Sequence, residues 1–111
     1  MSDHAILVLC TAPDDATASR LARALLDARC AACVNLIPGV HSLYRWQGVI
    51  EEAHEVQLII KSRASRLAET ERVIRALHPY DVPEIIAIRT AGGGADYLAW
   101  IASETEPRPA P

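Results

Sequence analysis

Phenylalanine is absent from this chain, and tryptophan and tyrosine together supply only 5% of its 111 residues. Any core must therefore be built from Leu, Ile, Val and Ala, and a 50% apolar composition provides enough of them for one domain. No apolar run approaches the ~20 residues of a membrane span. The opening MSDHAILVLCTAPDD has no positive flank and only a strand-length apolar stretch, so neither a membrane anchor nor a signal peptide is expected. Basic residues do not predominate: 11 Lys and Arg stand against 14 Asp and Glu, which excludes the clustered basic face of a nucleic-acid binder. Three cysteines are an odd number and make no disulfide framework; a cytoplasmic protein with reduced thiols is the expectation.

What is present reads as alternating strands and helices. Residues 5–12 (AILVLCTA) form a nearly continuous apolar run, the pattern of a strand buried on both faces. Asp14 is placed to cap a helix and Asp15 to complement its dipole. That helix is predicted to run to about Arg29, with Leu21, Leu25 and Ala28 on one face. Residues 32–37 and 40–46 read as a second strand bent at Pro38 and Gly39. Gln47 and Gly48 then turn the chain into a third strand, 49–61. Ser62 or Ser65 opens a second helix carrying Leu67, Ile74 and Leu77, and residues 83–90 read as a fourth strand. After a flexible joint at 91–94, a third helix bears Tyr97, Leu98 and Trp100. Residues 1–105 make one domain, and 106–111 a Pro-rich tail expected to be disordered.

The order β-α-β-β-α-β is the ferredoxin-like split βαβ arrangement, an α+β sandwich with both helices on one face of an antiparallel sheet. The other face is then apolar and uncovered. The third strand extends roughly 43 Å, whereas the second helix covers only about 20 Å. The hairpin overhangs its shelter and carries Leu43, Tyr44, Trp46, Val49 and Ile50 at its tip, a patch monomers seldom expose. A tryptophan folded back on its own helix is the plainer alternative; shelter by other copies of the chain is the favoured one.

Candidate chemistry is sparse. Cys30 and Cys33 are spaced as CxxC but follow a helix, where the negative dipole end disfavours thiolate, and no second ligand pair completes a zinc site. They read as small buried thiols. Cys10 ends the first strand and His78 opens the loop before the fourth; thiolate and imidazole together suit copper or zinc, although a lone cysteine is more often a core residue. Lys61 and Glu84 sit at strand ends, and Glu55 shares a face with Lys61 in a regular strand. No nucleophile–base grouping, paired carboxylate motif or phosphate-binding glycine pattern is present.

Six stretches together resemble the CutA family of divalent-cation tolerance proteins: VLCTAPD (8–14), AACVNLIPG (31–39), SLYRWQGVIEE (42–52), EVQLIIKS (55–62), HPYDVPEI (78–85) and YLAWI (97–101). They lie in the family's order and span nearly the whole domain. The resemblance implies a ferredoxin-like subunit in a homotrimer similar to PII signalling proteins, in the cytoplasm, without enzymatic activity. It also implies no obligatory cofactor and weak binding of copper(II) or another divalent ion, with metal contacts at Cys10 and His78. Leu77 stands where some relatives have a second histidine. The alternative is a PII-like small-molecule sensor with clefts between subunits near Trp46, Lys61 and Glu84. Neither nucleic acid nor membrane is an expected partner.

Overall fold

The computed structural model describes residues 3–107. Its elements are β1 (Ala5–Ala12), α1 (Asp15–Asp27), β2 (Cys33–Trp46), β3 (Val49–Arg63), α2 (Leu67–Leu77), β4 (Ile86–Arg89) and α3 (Ala95–Glu104), with one turn of 3-10 helix at Ala64–Arg66. The strands form one antiparallel sheet in the order β2-β3-β1-β4, the ferredoxin-like arrangement expected.

Pairing registers assign the faces. Ile6, Val8, Cys10 and Ala12 of β1 stand beside Ser62, Ile60, Leu58 and Val56 of β3, and all eight are buried. They pack with Leu21 and Leu25 of α1 and with Val73 and Ile74 of α2 into an aliphatic core. Successive strand residues alternate sides. The opposite face therefore carries Leu7, Leu9 and Ile59 with Ile37, Ile86 and Ile88, the last three 44–54% exposed. α3 lies at the end of the sheet where Ala5 pairs with Arg63; its Ile101 is buried there, and Arg63 Nη2 donates to Thr105 O at 3.2 Å.

The hairpin is longer than its support. β1 pairs with β3 only from Val56 to Arg63, so among the described residues Val49–Glu55 has β2 alone beside it. Gln47 and Gly48 both adopt positive φ (49° and 81°), the two-residue turn whose twist matches the strands. At Pro38 and Gly39 the register shifts: Ile37 faces Gln57 while Val40 faces Glu55, a one-residue bulge with Gly39 at φ 77°. The expected bend is thus a bulge inside one continuous strand. It moves Val40, Tyr44 and Trp46 onto the side that Ile37 occupied before it.

Other boundaries differ for identifiable reasons. Asp14 caps α1 as expected, its Oδ1 accepting from Thr17 N at 2.7 Å, a bond that holds its carboxyl below the usual range. The helix stops at Asp27, short of Arg29, because Arg29 turns left-handed (φ 59°) and Cys30 N bonds back to Leu25 O at 2.9 Å. Neither serine caps α2. Ser62 is buried and donates to Cys30 O, whereas Ser65 is tied to Asp3. Leu77, expected on the core face, is 39% exposed. β4 is shorter than 83–90, running from Ile86 to Arg89: Pro83 has no N–H to give a ladder, while Thr90 still donates N and Oγ1 to Ala5 O just past its end. Of the expected tail, Glu106 O accepts from Arg29 Nε at 2.6 Å; residues 108–111 lie outside the described residues.

Arg29 ends one helix with its backbone and holds another with its side chain, since its Nη2 also donates to Ser103 O at 2.9 Å. Arg29→Ala loses that clamp and keeps the left-handed penalty that Arg29 already bears; Arg29→Gly loses the clamp but sheds the penalty. Thermal denaturation is expected to rank wild type above Ala, and Gly above Ala by about 1 kcal/mol; an alanine variant as stable as the glycine one contradicts the left-handed cap.

Candidate functional site

The loop 78–85 closes over the end of β1. α2 makes its last bond from His78 N to Ile74 O, and His78 itself is already extended, as the residue before a proline must be. Its side chain is buried with both nitrogens engaged: Nε2 lies 2.7 Å from Thr11 O, and Nδ1 accepts from Tyr80 N at 3.1 Å. A nitrogen that accepts carries no proton, so the proton sits on Nε2 and is donated to Thr11. The Cys10 thiol donates weakly to the same carbonyl at 3.7 Å. The two side chains expected to hold a metal therefore do meet, as donors to one oxygen.

Around them the loop is bound by side chains of β3. Tyr80 leans on His78 with ring centroids 4.7 Å apart and donates its hydroxyl to the buried Glu55 Oε2 at 2.8 Å. Gln57 Nε2 donates to Cys10 O at 3.0 Å and Glu84 Oε2 at 3.2 Å, so Glu84 fastens the loop to the strand. Burial pushes the Cys10 thiol up to about 12, and the carboxylates of Glu84 and Glu55 push the same way. Burial and the bond to Glu55 likewise raise the Tyr80 hydroxyl. At neutral pH, Cys10 is a thiol and not the thiolate that ligates metals. Tyr80 and Gln57 had no assigned role in the sequence; Tyr80 stands within HPYDVPEI, and a tyrosine between two prolines was the available signal.

The remaining candidates are dispersed within one chain. Lys61 Nζ reaches Asn35 Oδ1 and lies 3.8 Å from Cys33 Sγ on the uncovered face. Glu84 is engaged with Gln57, four residues along β3, while Trp46 pairs with Val49 at the hairpin tip, twelve residues from Lys61 and thus about 40 Å along the strand. No cleft within one chain joins them. Leu43, Tyr44, Trp46, Val49 and Ile50 are all exposed, by 42–63%, as expected of the overhanging tip. The CxxC cysteines part company: Cys30 is buried beside Arg66, its thiol raised by burial, and Cys33 is half-buried beside Lys61. A cavity of about 250 Å³ between the β1 start and α3, lined by Arg63, Thr90, Gly92, Leu98 and Ile101, holds none of the predicted site residues.

Comparison with known proteins places this geometry. Residues 6–104 match the family model described as CutA1 divalent ion tolerance protein. The chain is 50% identical over 105 residues to a divalent-cation tolerance protein CutA of Pectobacterium atrosepticum, covering 91% of this chain and 96% of that one. The crystal structure of CutA from Xylella fastidiosa superposes with TM-score 0.90 at 43% identity, covering 95% of this chain and 100% of that one. A divalent cation tolerance protein CutA from Archaeoglobus fulgidus, named periplasmic, superposes with TM-score 0.89 at 37% identity over 92% and 99% of the two chains.

The state of Cys10 is directly measurable. Its folded value of about 12 lies above the 9.0 of an unperturbed thiol. The neutral thiol's contribution to stability is thus intact below pH 9 and is lost as pH climbs towards 12. Cys10 in the native chain is expected to resist iodoacetamide at pH 8 and to react after unfolding in guanidinium. Fast native alkylation, or no relief of alkaline destabilisation in Cys10→Ala, contradicts the assignment.

Proposed function

This chain belongs to the CutA1 divalent ion tolerance family, and from that premise we propose that it is a non-enzymatic tolerance protein working as a homotrimer that binds divalent cations weakly. The observation that carries the reading is the apolar sheet face without a cover. Ile37, Ile86 and Ile88, each 44–54% exposed, flank Leu7, Leu9 and Ile59 and continue into a two-stranded ribbon with five large exposed apolar side chains. A lone two-stranded ribbon is marginal in water, and burial of each such side chain contributes about 1.5–3 kcal/mol. The face and the tip are different patches of one chain, which suits a head-to-tail ring over a two-fold dimer that pairs each patch with itself. Cys10, Cys30 and Cys33 stand as unpaired thiols, which suits a cytoplasmic setting that cell fractionation tests.

Cys10 and His78 are the proposed metal contacts, and their present arrangement favours weak rather than tight binding there. As they stand they fit a resident ion poorly: the thiol holds its proton, and both imidazole nitrogens are in hydrogen bonds. Copper(II) ligation costs those bonds and that proton. The second reading, a PII-like sensor, draws on Lys61 and Glu84 lying half-buried beside the uncovered face, where Trp46 from the hairpin of another copy completes a cleft.

Ile59→Glu and Ile88→Glu place a charge on the uncovered face, and each is expected to reduce the mass in solution and lower the Tm by several degrees. Unchanged mass in both contradicts assembly through this face. Copper(II) titration is expected to weaken in Cys10→Ser and in His78→Ala; equal affinity in both removes the metal assignment. A thermal-shift screen separates the readings, since stabilisation by a small metabolite with indifference to metals favours the sensor.

A further inference from the structure

The hairpin beyond the helices carries a second group of metal-ligating side chains. The register of β2 and β3 sets His41 directly opposite His54, and the two rings stack with centroids 4.9 Å apart and an interplanar angle of 20°. Glu52 is two residues from His54 and so on the same side of the ribbon, and its Oε1 lies 3.2 Å from His41 Nε2. All three are exposed in the single chain, with 51% and 62% of the His41 and Glu52 side chains open to solvent, so no packing within the chain fixes their rotamers.

The backbone beneath them is held in register by the Gln47-Gly48 turn at one end and the Pro38-Gly39 bulge at the other. Directly opposed residues of an antiparallel pair have Cβ atoms about 4.5–5.5 Å apart, a spacing from which two imidazoles can swing to meet at one ion. In their stacked rotamers the rings do not yet converge, and among the described residues no three His, Cys, Asp or Glu side chains already do. Closure on a cation is therefore a rotation about exposed torsions, with no movement of the strands.

We propose that His41, His54 and Glu52 form a divalent-cation site on the overhanging hairpin, on the side of the ribbon that continues the helix-bearing face, apart from Cys10 and His78. Two imidazoles and one carboxylate are the donor set of zinc with a fourth position left to water, and of copper(II) in an N,O environment. Calcium and magnesium, which take oxygen ligands, are not matched. Arg45 shares this side of the ribbon and limits affinity by repelling the cation. The site goes beyond the family reading, because its ligands lie outside the β1 end and owe nothing to the loop 78–85.

The test titrates zinc chloride into the full-length chain, followed by calorimetry and by NMR of the imidazole side chains of its 4 histidines. The His41 and His54 resonances are expected to shift together at one zinc per chain. His41→Gln and His54→Gln are each expected to weaken binding at least tenfold, since loss of even a supporting partner costs about 10–100-fold. Cys10→Ser/His78→Ala is expected to leave the hairpin shifts in place. Shifts confined to His78 or His4, no shifts at all, or undiminished affinity in both glutamine variants overturn the hairpin site. Shifts at His78 alone sustain the β1-end assignment while removing this one, so the two fail separately. The substituted side chains are exposed, and unchanged Tm values establish that the variants are folded.

Discussion

Among the described residues, the β2–β3 hairpin beyond Val56 has no third strand beside it. That one geometric excess governs the rest of the molecule. α1 and α2 are 13 and 11 residues long and cover only the part of the sheet that β1 reaches, so the core closes there and the hairpin continues into solvent. Its ladder bonds persist in isolation, but Leu43, Val49 and Ile50, each about 60% exposed, gain nothing from them. The opposite sheet face has the same deficit, because the chain supplies helices to one side and reserves α3 for one end. A surface so arranged is a half-built core, which the proposed assembly completes with sister chains.

The end of β1 obeys the contrary rule. There the side chains of His78, Tyr80 and Glu84 find partners on the neighbouring strands: Thr11 O takes His78, as it takes Cys10, Glu55 takes Tyr80, and Gln57 joins Cys10 O to Glu84. Buried polar groups are costly unless paired, and a mutually satisfied set is rigid and specific. Such a network positions β4 beside β1, and with it Ile86 and Ile88 on the uncovered face. The same completeness makes Cys10 and His78 reluctant ligands, since an ion must first dismantle what holds the loop. The exposed imidazoles of the hairpin hold no such buried network.

The sequence made the element order legible because its signals were local. Asp14 before a helical period and Gln47-Gly48 between two strand patterns each determine a structure through their own backbone chemistry. What stayed hidden depended on contacts far along the chain. Ser65 carries a capping side chain, yet its hydroxyl donates to Asp3, sixty-two positions away. Arg29 takes the left-handed cap position with its guanidinium engaged by Ser103 and Glu106, a partnership no helical period reveals. The separation of Trp46 from Lys61 and Glu84 follows from the length of β3, whereas grouping them needed a second chain. The opposition of His41 and His54 was invisible for a different reason: a one-residue bulge resets the register, and periodicity cannot say whether Pro38-Gly39 bends the strand or bulges it.

The central claim is that the sheet face and the hairpin are completed by sister chains. Sedimentation equilibrium of the unmodified chain at micromolar concentration measures it most directly. The account predicts a stable mass three times that of the single 12.1 kDa chain. A well-folded species that remains at the single-chain mass contradicts it.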